Sequence, residues 1–522
     1  MAVEESLTAY SYVGIAIFVC VIVFVIRPVK LKIKKATIYL NLSNVPLLGV
    51  LVLLICRAIN FDVVVNGFLG RLGVQPWGLL ILIYSLAYIC ISLDMTGIFQ
   101  FFAFWVSRKA GNRGILAFTL FFILTTLMSG LTSNDVVILT GTVFLSYFTK
   151  VSDITPTAFL MSEFTTANIA SMALFIGNPT NVIVSEAHKI SFITYSAWMI
   201  LPTLVTILLS YLVLRLLFHS QKYLPHTIQP PEADPKSVLI DPHGAIFGFV
   251  LLGLCLVTLV GTSFVNVPVW MVTLPFAVVM FIRDIKHDLG LSFRRLCFQF
   301  RLHKEHAMQT SAVDRSNATI ISVSDSILST KEEPQPITTT KKHRVFLNWL
   351  SRRLPTVKAV MSRLPWSILP FSLGMFILIE ALSELGWVGI FATAMTVFTK
   401  NYVTAVLGMT FVSILACQLL NNLPMTILFT QIIQHPNFTA HVHSDAVMQG
   451  FLLGLIVGSN LGACLTLVGS LAGIMFDHIL KTKGIYTLGY FKFLKWNLVI
   501  LPILALGASA VVIGEIWFIY LR

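Results

Sequence analysis

The chain has 522 residues, 56% of them hydrophobic and 11% charged, with a mean hydropathy of +0.85. Soluble chains carry about 25% charged residues, so this composition excludes a mostly water-soluble protein. The formal net charge of +13 sits in short stretches between apolar spans, a pattern of membrane topology and not a nucleic-acid footprint.

Apolar runs of about 20 residues, enough to cross a hydrocarbon core of about 30 Å, recur from Ser11 to Trp517. Helices alone among open structures satisfy their own backbone there, so an all-α polytopic membrane protein is expected. The first run, Ser11 to Ile26, follows Glu4 and Glu5 with no basic segment or small-residue cleavage site, and reads as a retained span. Further crossings are expected to start near Leu40, Trp77, Pro156, Thr194, Ala245, Asn266, Trp366, Ala446 and Trp496, about ten in all beside two re-entrant hairpins.

Two copies of one pattern fill the chain. The first runs from WGLLILIYSLAYICISLDMTG at Trp77 through LTSNDVVILTGTVFL at Leu131 and FIGNPTNVIV at Phe175 to Pro202. The second runs from WSILPFSLGMFILIEALSELG at Trp366 through LLNNLPMTILFTQII at Leu419 and IVGSNLGACLTLVGS at Ile456 to Pro502. Residues 1–218 are therefore read as an N-terminal repeat with a hairpin over 114–149 and a broken helix over 156–184. Residues 219–283 hold a connecting loop and the first two helices of the C-terminal repeat, and 363–522 hold its remainder, with a hairpin over 402–434 and a broken helix over 446–478. Residues 284–362, rich in Ser, Thr, Lys and Arg, are expected to be a disordered basic cytoplasmic loop.

With a hairpin at Ser133, Asn134 and Asp135, the clusters Arg27 to Lys35, Arg108 to Arg113, Lys150, the long loop and Lys481 to Lys495 share one side, which is then cytoplasmic. An odd number of crossings per copy inverts the second copy relative to the first. The sequon at Asn437 is then outside and that at Asn317 inside.

Chemistry is expected where polar residues interrupt the spans, because polar groups at lipid depth are costly and usually face a cavity. The candidates are Ser133, Asn134, Asn178, Thr180, Asn181, Asn421, Asn422, Ser459, Asn460 and Thr466 for solute binding, with Asp135 and Glu163 for proton coupling. Gly and Pro free backbone groups at these breaks, and half-helix N-termini aimed at one point favour oxygen-rich or anionic solutes. Taken singly, each break is as readily a Pro/Gly kink capped by Asn; four in two matched pairs argue for a site. Asp94, Glu380 and Glu384 read as structural or interfacial, Cys417 and Cys464 as apolar packing, and His435, His441, His443 and Asp445 as a solvated loop. The seven cysteines form no C-x-x-C pair. With no Walker loop, zinc-protease helix or catalytic triad, the chain is not read as an enzyme, and no cofactor or metal is expected.

The segments NDVVILT at Asn134, IGNPTNVIVSEAHKISF at Ile176, NNLP at Asn421 and GSNLGACLTLVGSLAGIMF at Gly458 resemble the arsenical pump membrane protein (ArsB) family of the ion transporter superfamily. The resemblance covers both copies and implies scaffold and transport domains, the latter sliding as an elevator. It implies export of arsenite or antimonite in exchange for protons, and similar plant proteins export silicic acid. The tips Ser-Asn-Asp and Asn-Asn-Leu depart from the Ser-Asn-Thr of related sodium-coupled dicarboxylate carriers, which argues against carboxylates. Glu163 before Ala167-Asn168-Ile169 is closer to sodium/proton antiporters and the melanosomal P protein. A sodium/proton antiporter or anion carrier is therefore the competing reading, with a channel behind it. Energy would come from an ion gradient or an ATPase subunit. A homodimer in the plasma membrane completes the expectation, with a small solute or ion and the lipid bilayer as partners.

Overall fold

The computed structural model describes residues 7–33, 36–70, 75–229, 235–265, 267–290 and 353–522. Most of the expected 284–362 loop, with Asn317 and Cys297, lies outside them. The chain divides into one unit formed by Met1–Phe276 with Leu364–Arg522, and a second formed by Ala277–Arg363.

Helix α1 (Ala9–Ile26) is followed by a two-stranded antiparallel ribbon, Val29–Ile33 against Ala36–Leu40, with Val29 opposite Leu40. The period-2 alternation of VKLKI and ATIYL suits strands, and the ribbon carries part of the basic cluster Arg27 to Lys35. The crossing expected near Leu40 is not a single helix. It is two short ones, α2 (Val45–Ile55) and α3 (Phe61–Leu69), with Arg57 at a positive φ of 54° between them. At 1.5 Å per residue these are about 16 and 14 Å long, so neither spans a bilayer alone.

Next come α4 (Pro76–Met95) and α5 (Ile98–Ala110). Helices α6 (Gly114–Leu131) and α7 (Asn134–Val151) form a hairpin. Helix α8 (Thr157–Ala170) breaks before α9 (Pro179–Ala187), and α10 (Phe192–Leu217), α11 (Pro242–Thr262) and α12 (Val269–Asp288) follow. Beyond the undescribed stretch lie α13 (Pro355–Arg363), α14 (Ile368–Glu384) and α15 (Trp387–Met395). Helices α16 (Tyr402–Leu420) and α17 (Asn422–Gln434) make a second hairpin, followed by the short α18 (Pro436–Thr439). Helix α19 (Asp445–Gly462) breaks before α20 (Leu471–Thr482), and α21 (Tyr490–Tyr520) ends the chain. Nine helices among the described residues are long and apolar enough to cross a membrane.

The two copies share local devices. Gly97 at φ 84° turns the chain from α4 into α5, and Gly386 at φ 82° does the same between α14 and α15. Pro202 lies inside α10 and Pro502 inside α21. Side-chain caps start several helices: Ser191 accepts from Thr194 N, Asp241 from Gly244 N and Asn401 from Thr404 N.

The base of the first hairpin lies beside the segment after α10, since Gly114 N donates to His226 O and Ile228 N to Asn112 O. The base of the second lies by the end of α9, where Gln434 Nε2 donates to Ala187 O at 2.8 Å. Helices α16 and α19 pack most closely of all. Gly450, Gly454, Gly458 and Gly462 form one stripe on α19 at helical spacing four. A β-carbon on Gly454 would come within 2.9 Å of Val406 O, and one on Gly458 within 2.7 Å of Thr410 O. Within the second unit, the Asp288 carboxylate accepts the Thr356 and Val357 N–H groups at 3.1 and 3.0 Å and so caps α13.

Candidate functional site

Four helices begin at one place. The N-termini of α7 (Asn134, Asp135), α9 (Asn178, Pro179, Thr180), α17 (Asn422, Leu423) and α20 (Ser470, Leu471, Ala472) line a single small cavity. Ile83 of α4 and Ile368 of α14 close it on the remaining side. Each helix starts here because a tip or break stops the chain before it: Asn178 caps α9 through Thr180 N at 3.2 Å, and Ser470 caps α20 through Gly473 N at 3.1 Å. Each N-terminus carries about half a positive charge and unpaired N–H groups. The point where four meet therefore favours an electron-rich oxygen. Asp135 is the one ionisable residue of the lining, so no basic side chain competes for that role.

Behind the cavity the two broken helices are tied together. Asn178 Nδ2 donates to Asn460 Oδ1 at 3.0 Å, and Asn460 Nδ2 donates to Asn181 Oδ1 at 2.7 Å. Asn181 Nδ2 in turn donates to Ser171 O and Leu174 O across the first break. Ser459 Oγ donates to Thr180 Oγ1 at 3.4 Å. Asn178, Thr180, Asn181, Ser171, Ser459 and Asn460 are all buried. At the first tip Asn134 Nδ2 donates to Asn168 Oδ1 at 3.0 Å, while Asn134 Oδ1 is buried with no partner among the described residues. An orphaned acceptor in the cavity wall is costly unless a solute or water donates to it.

The sequence candidates thus separate. Asn134, Asp135, Asn178, Thr180 and Asn422 line the cavity, whereas Asn181, Ser459 and Asn460 hold its walls and Ser133 precedes α7 as its N-cap residue. Asn421 forms the second tip with φ 70° and ψ 153°, a backbone region that costs a non-glycine residue about 1–3 kcal/mol. Its Nδ2 donates to Val468 O at 3.1 Å, and Asn422 N donates to Gly469 O at 2.9 Å, fastening this tip to the second break. Thr466 Oγ1 donates to Gln418 Oε1 at 2.7 Å, and Gln418 Nε2 donates to Ile414 O and Gly462 O. Gln418 and Asn168 are positional partners that the motifs did not single out as site residues, whereas Ser470, one of the polar residues of the second break, lines the cavity. The signal of Gln418 and Asn168 was an amide within an apolar run beside a break.

Glu163 lies apart, in the middle of α8. Its Oε2 accepts from Thr142 Oγ1 at 3.1 Å, and its Oε1 has no partner among the described residues. A β-carbon on Gly141 would overlap this carboxylate, so Gly141 makes the space in which it sits. Asp94 and Glu380 meet Gln100 and Gln431 at 3.5 and 3.4 Å. Cys417 and Cys464 are buried against Ser459 O and Asn460 O and do not line the cavity. His435 and His441 bond to Asn437 within the α18 turn, and Asn437, only 4% exposed, is not offered to a glycan. No metal-holding group of three His, Cys, Asp or Glu side chains exists among the described residues.

Comparison with known proteins follows the same lines. A family model described as a citrate transporter matches residues 21–450. An arsenical pump membrane protein of Escherichia coli is 24% identical over 428 residues, which is 81% of this chain and 83% of that one. A 46 kDa membrane protein of Mycobacterium leprae is 24% identical over 413 residues, covering 78% and 79% of the two chains. Among solved structures, the Alcanivorax borkumensis YdaH transporter superposes with a TM-score of 0.51 at 13% identity, over 98% of this chain and 99% of the other, a likeness of fold.

Proposed function

The chain belongs to the citrate transporter family, a multi-pass membrane protein and secondary transporter, not an enzyme, and we propose that it exports a small neutral oxyacid in exchange for protons. The oxyacid is arsenite, antimonite or silicic acid, and the membrane is the plasma membrane. The observation that carries the reading is the meeting of four helix N-termini around Asn134, Asn178 and Asn422. Hydroxyl-rich neutral acids suit this lining of amides, backbone N–H groups and one carboxylate, and need no arginine fork. Asp135 in the lining takes the proton that replaces the departing solute, and Glu163, with its orphaned oxygen, provides a second protonation point in α8. The two hairpins, based at opposite ends and meeting at their tips, support an inverted pair of repeats, with the tips and broken helices moving together past α4 and α14.

A second reading has its own support. The family is described by citrate, and converging N-termini attract anions. Purified protein in liposomes loaded with silicic acid, arsenite or citrate, subjected to a pH step, separates the two. Saturable silicic acid or arsenite efflux that follows the step supports the proposal. Citrate flux without metalloid flux replaces it, sodium-dependent proton flux moves it to an antiporter, and ohmic current makes the protein a channel.

A further inference from the structure

Three cavities lie in sequence along helix α9. The first is the four-terminus cavity, which touches α9 at Pro179 and Thr180 and α4 at Ile83. The next is a narrow slit about one turn further on, between Leu79 and Leu82 of α4 and Val182 and Ile183 of α9, with Trp270 across it. The last is a vestibule of about 610 Å³ bounded by the end of α9, the start of α10 and the loop from α11 to α12. Glu186 lines both the slit and the vestibule.

We infer that the solute travels between its site and one face of the membrane along this α4–α9 groove, with Trp270 as the constriction and Glu186 and Lys189 as the charged groups at its mouth. The inference rests on the reading of the four-terminus cavity as the solute site. Two buried polar atoms along the groove have no partner among the described residues: Trp270 Nε1 at the slit and Ser185 Oγ at the vestibule. A donor and a hydroxyl left unpaired beside a passage are stabilised when a hydroxylated solute or its water passes. Thr262 and Ser263 extend the hydroxyl lining at the vestibule, where Glu186 and Lys189 bring one group of each sign of charge. The passage therefore offers hydroxyl-rich species hydrogen-bonding partners along its length. Gly78 keeps it open, since a β-carbon there would come 2.8 Å from Trp270 Cδ1 and 3.0 Å from its Nε1. The vestibule sits by the Ala187 end of α9, where the second hairpin has its base. That is the end away from Arg108 to Arg113, and so the external face under the positive-inside rule.

The test is side-specific thiol labelling in proteoliposomes of the full chain, with Cys20, Cys56 and Cys297 changed to Ser. Into this background go Thr262→Cys at the vestibule and, separately, Ile183→Cys at the slit. A membrane-impermeant methanethiosulfonate is expected to modify both from the external face only. Ile183→Cys is expected to react about tenfold more slowly, and more slowly still with saturating silicic acid. Gly78→Val is expected to lower silicic acid efflux about tenfold while the melting temperature is kept. Ile183→Cys that reacts only from the cytoplasmic face, or not at all while Thr262→Cys reacts, overturns the route, as does full efflux by a folded Gly78→Val. Labelling needs no substrate, so a confirmed route in a protein that moves no silicic acid would sink the solute assignment and leave the groove standing.

Discussion

Asn460 is the residue on which the geometry of the site is most exposed to test. Its side chain is fully buried and links both broken helices, accepting from Asn178 and donating to Asn181 and to Ile456 O. Asn460→Leu keeps the number and branching of side-chain heavy atoms, so it opens no cavity. It leaves Asn178 Nδ2 and Asn181 Oδ1 buried without those partners. Each orphaned group costs about 1–3 kcal/mol in a dry interior, while interhelical hydrogen bonds in membranes average about 0.6 kcal/mol. Between these limits a loss of about 2–4 kcal/mol is expected. The assay is the midpoint of SDS-induced unfolding in mixed micelles. In a double-mutant cycle, Asn460→Ala and Asn178→Ala are expected to couple by about 1 kcal/mol, because each removes the other's partner. An unshifted midpoint for Asn460→Leu, or strict additivity in the cycle, would refute the claim that this amide ties the breaks together.

Other outcomes follow from the same geometry. Glu163→Gln is expected to fold, retaining the Thr142 hydrogen bond, yet to lose pH-driven efflux while solute exchange at equal pH continues; loss of both would assign Glu163 to structure. Asp135→Asn is expected to abolish both, because the carboxylate lines the four-terminus cavity itself; retained pH-driven efflux would remove it from the mechanism. Gly454→Leu is expected to lower the yield of folded protein severely, because the side chain would be driven into Val406 O; a normal melting temperature would contradict the close α16–α19 packing.

The membrane class and the interrupted helices were legible because lipid allows few backbone solutions and because Asn-Asn-Leu-Pro and Gly-Asn-Pro stand out within apolar runs. The division of labour among the asparagines was not legible. Asn178 caps the short helix on which Asn181 lies, yet one faces the cavity and the other supports the break behind it, which spacing alone does not distinguish. Asn134 and Asn168 pair across 34 residues, and Asn178 and Asn460 across 282, distances over which no local pattern carries information. The two short helices α2 and α3 were hidden because their shared apolar run resembles one span, while the interruption at Arg57 contains no proline or glycine. The slit was hidden too, since a lone Gly78 in a helix signals only weaker helix propensity until Trp270 is seen against it.

The glycine stripe of α19 sets how force is shared inside the molecule. Two helices that meet backbone to backbone have no long side chains between them to yield, so they behave as a single strut. One and the same end of that strut carries the second hairpin tip and leads into the second break, where Asn460 grips the opposite repeat. A push delivered at Asn422 is thereby passed to Asn178 without slack, and both halves of the binding wall would shift in the same stroke.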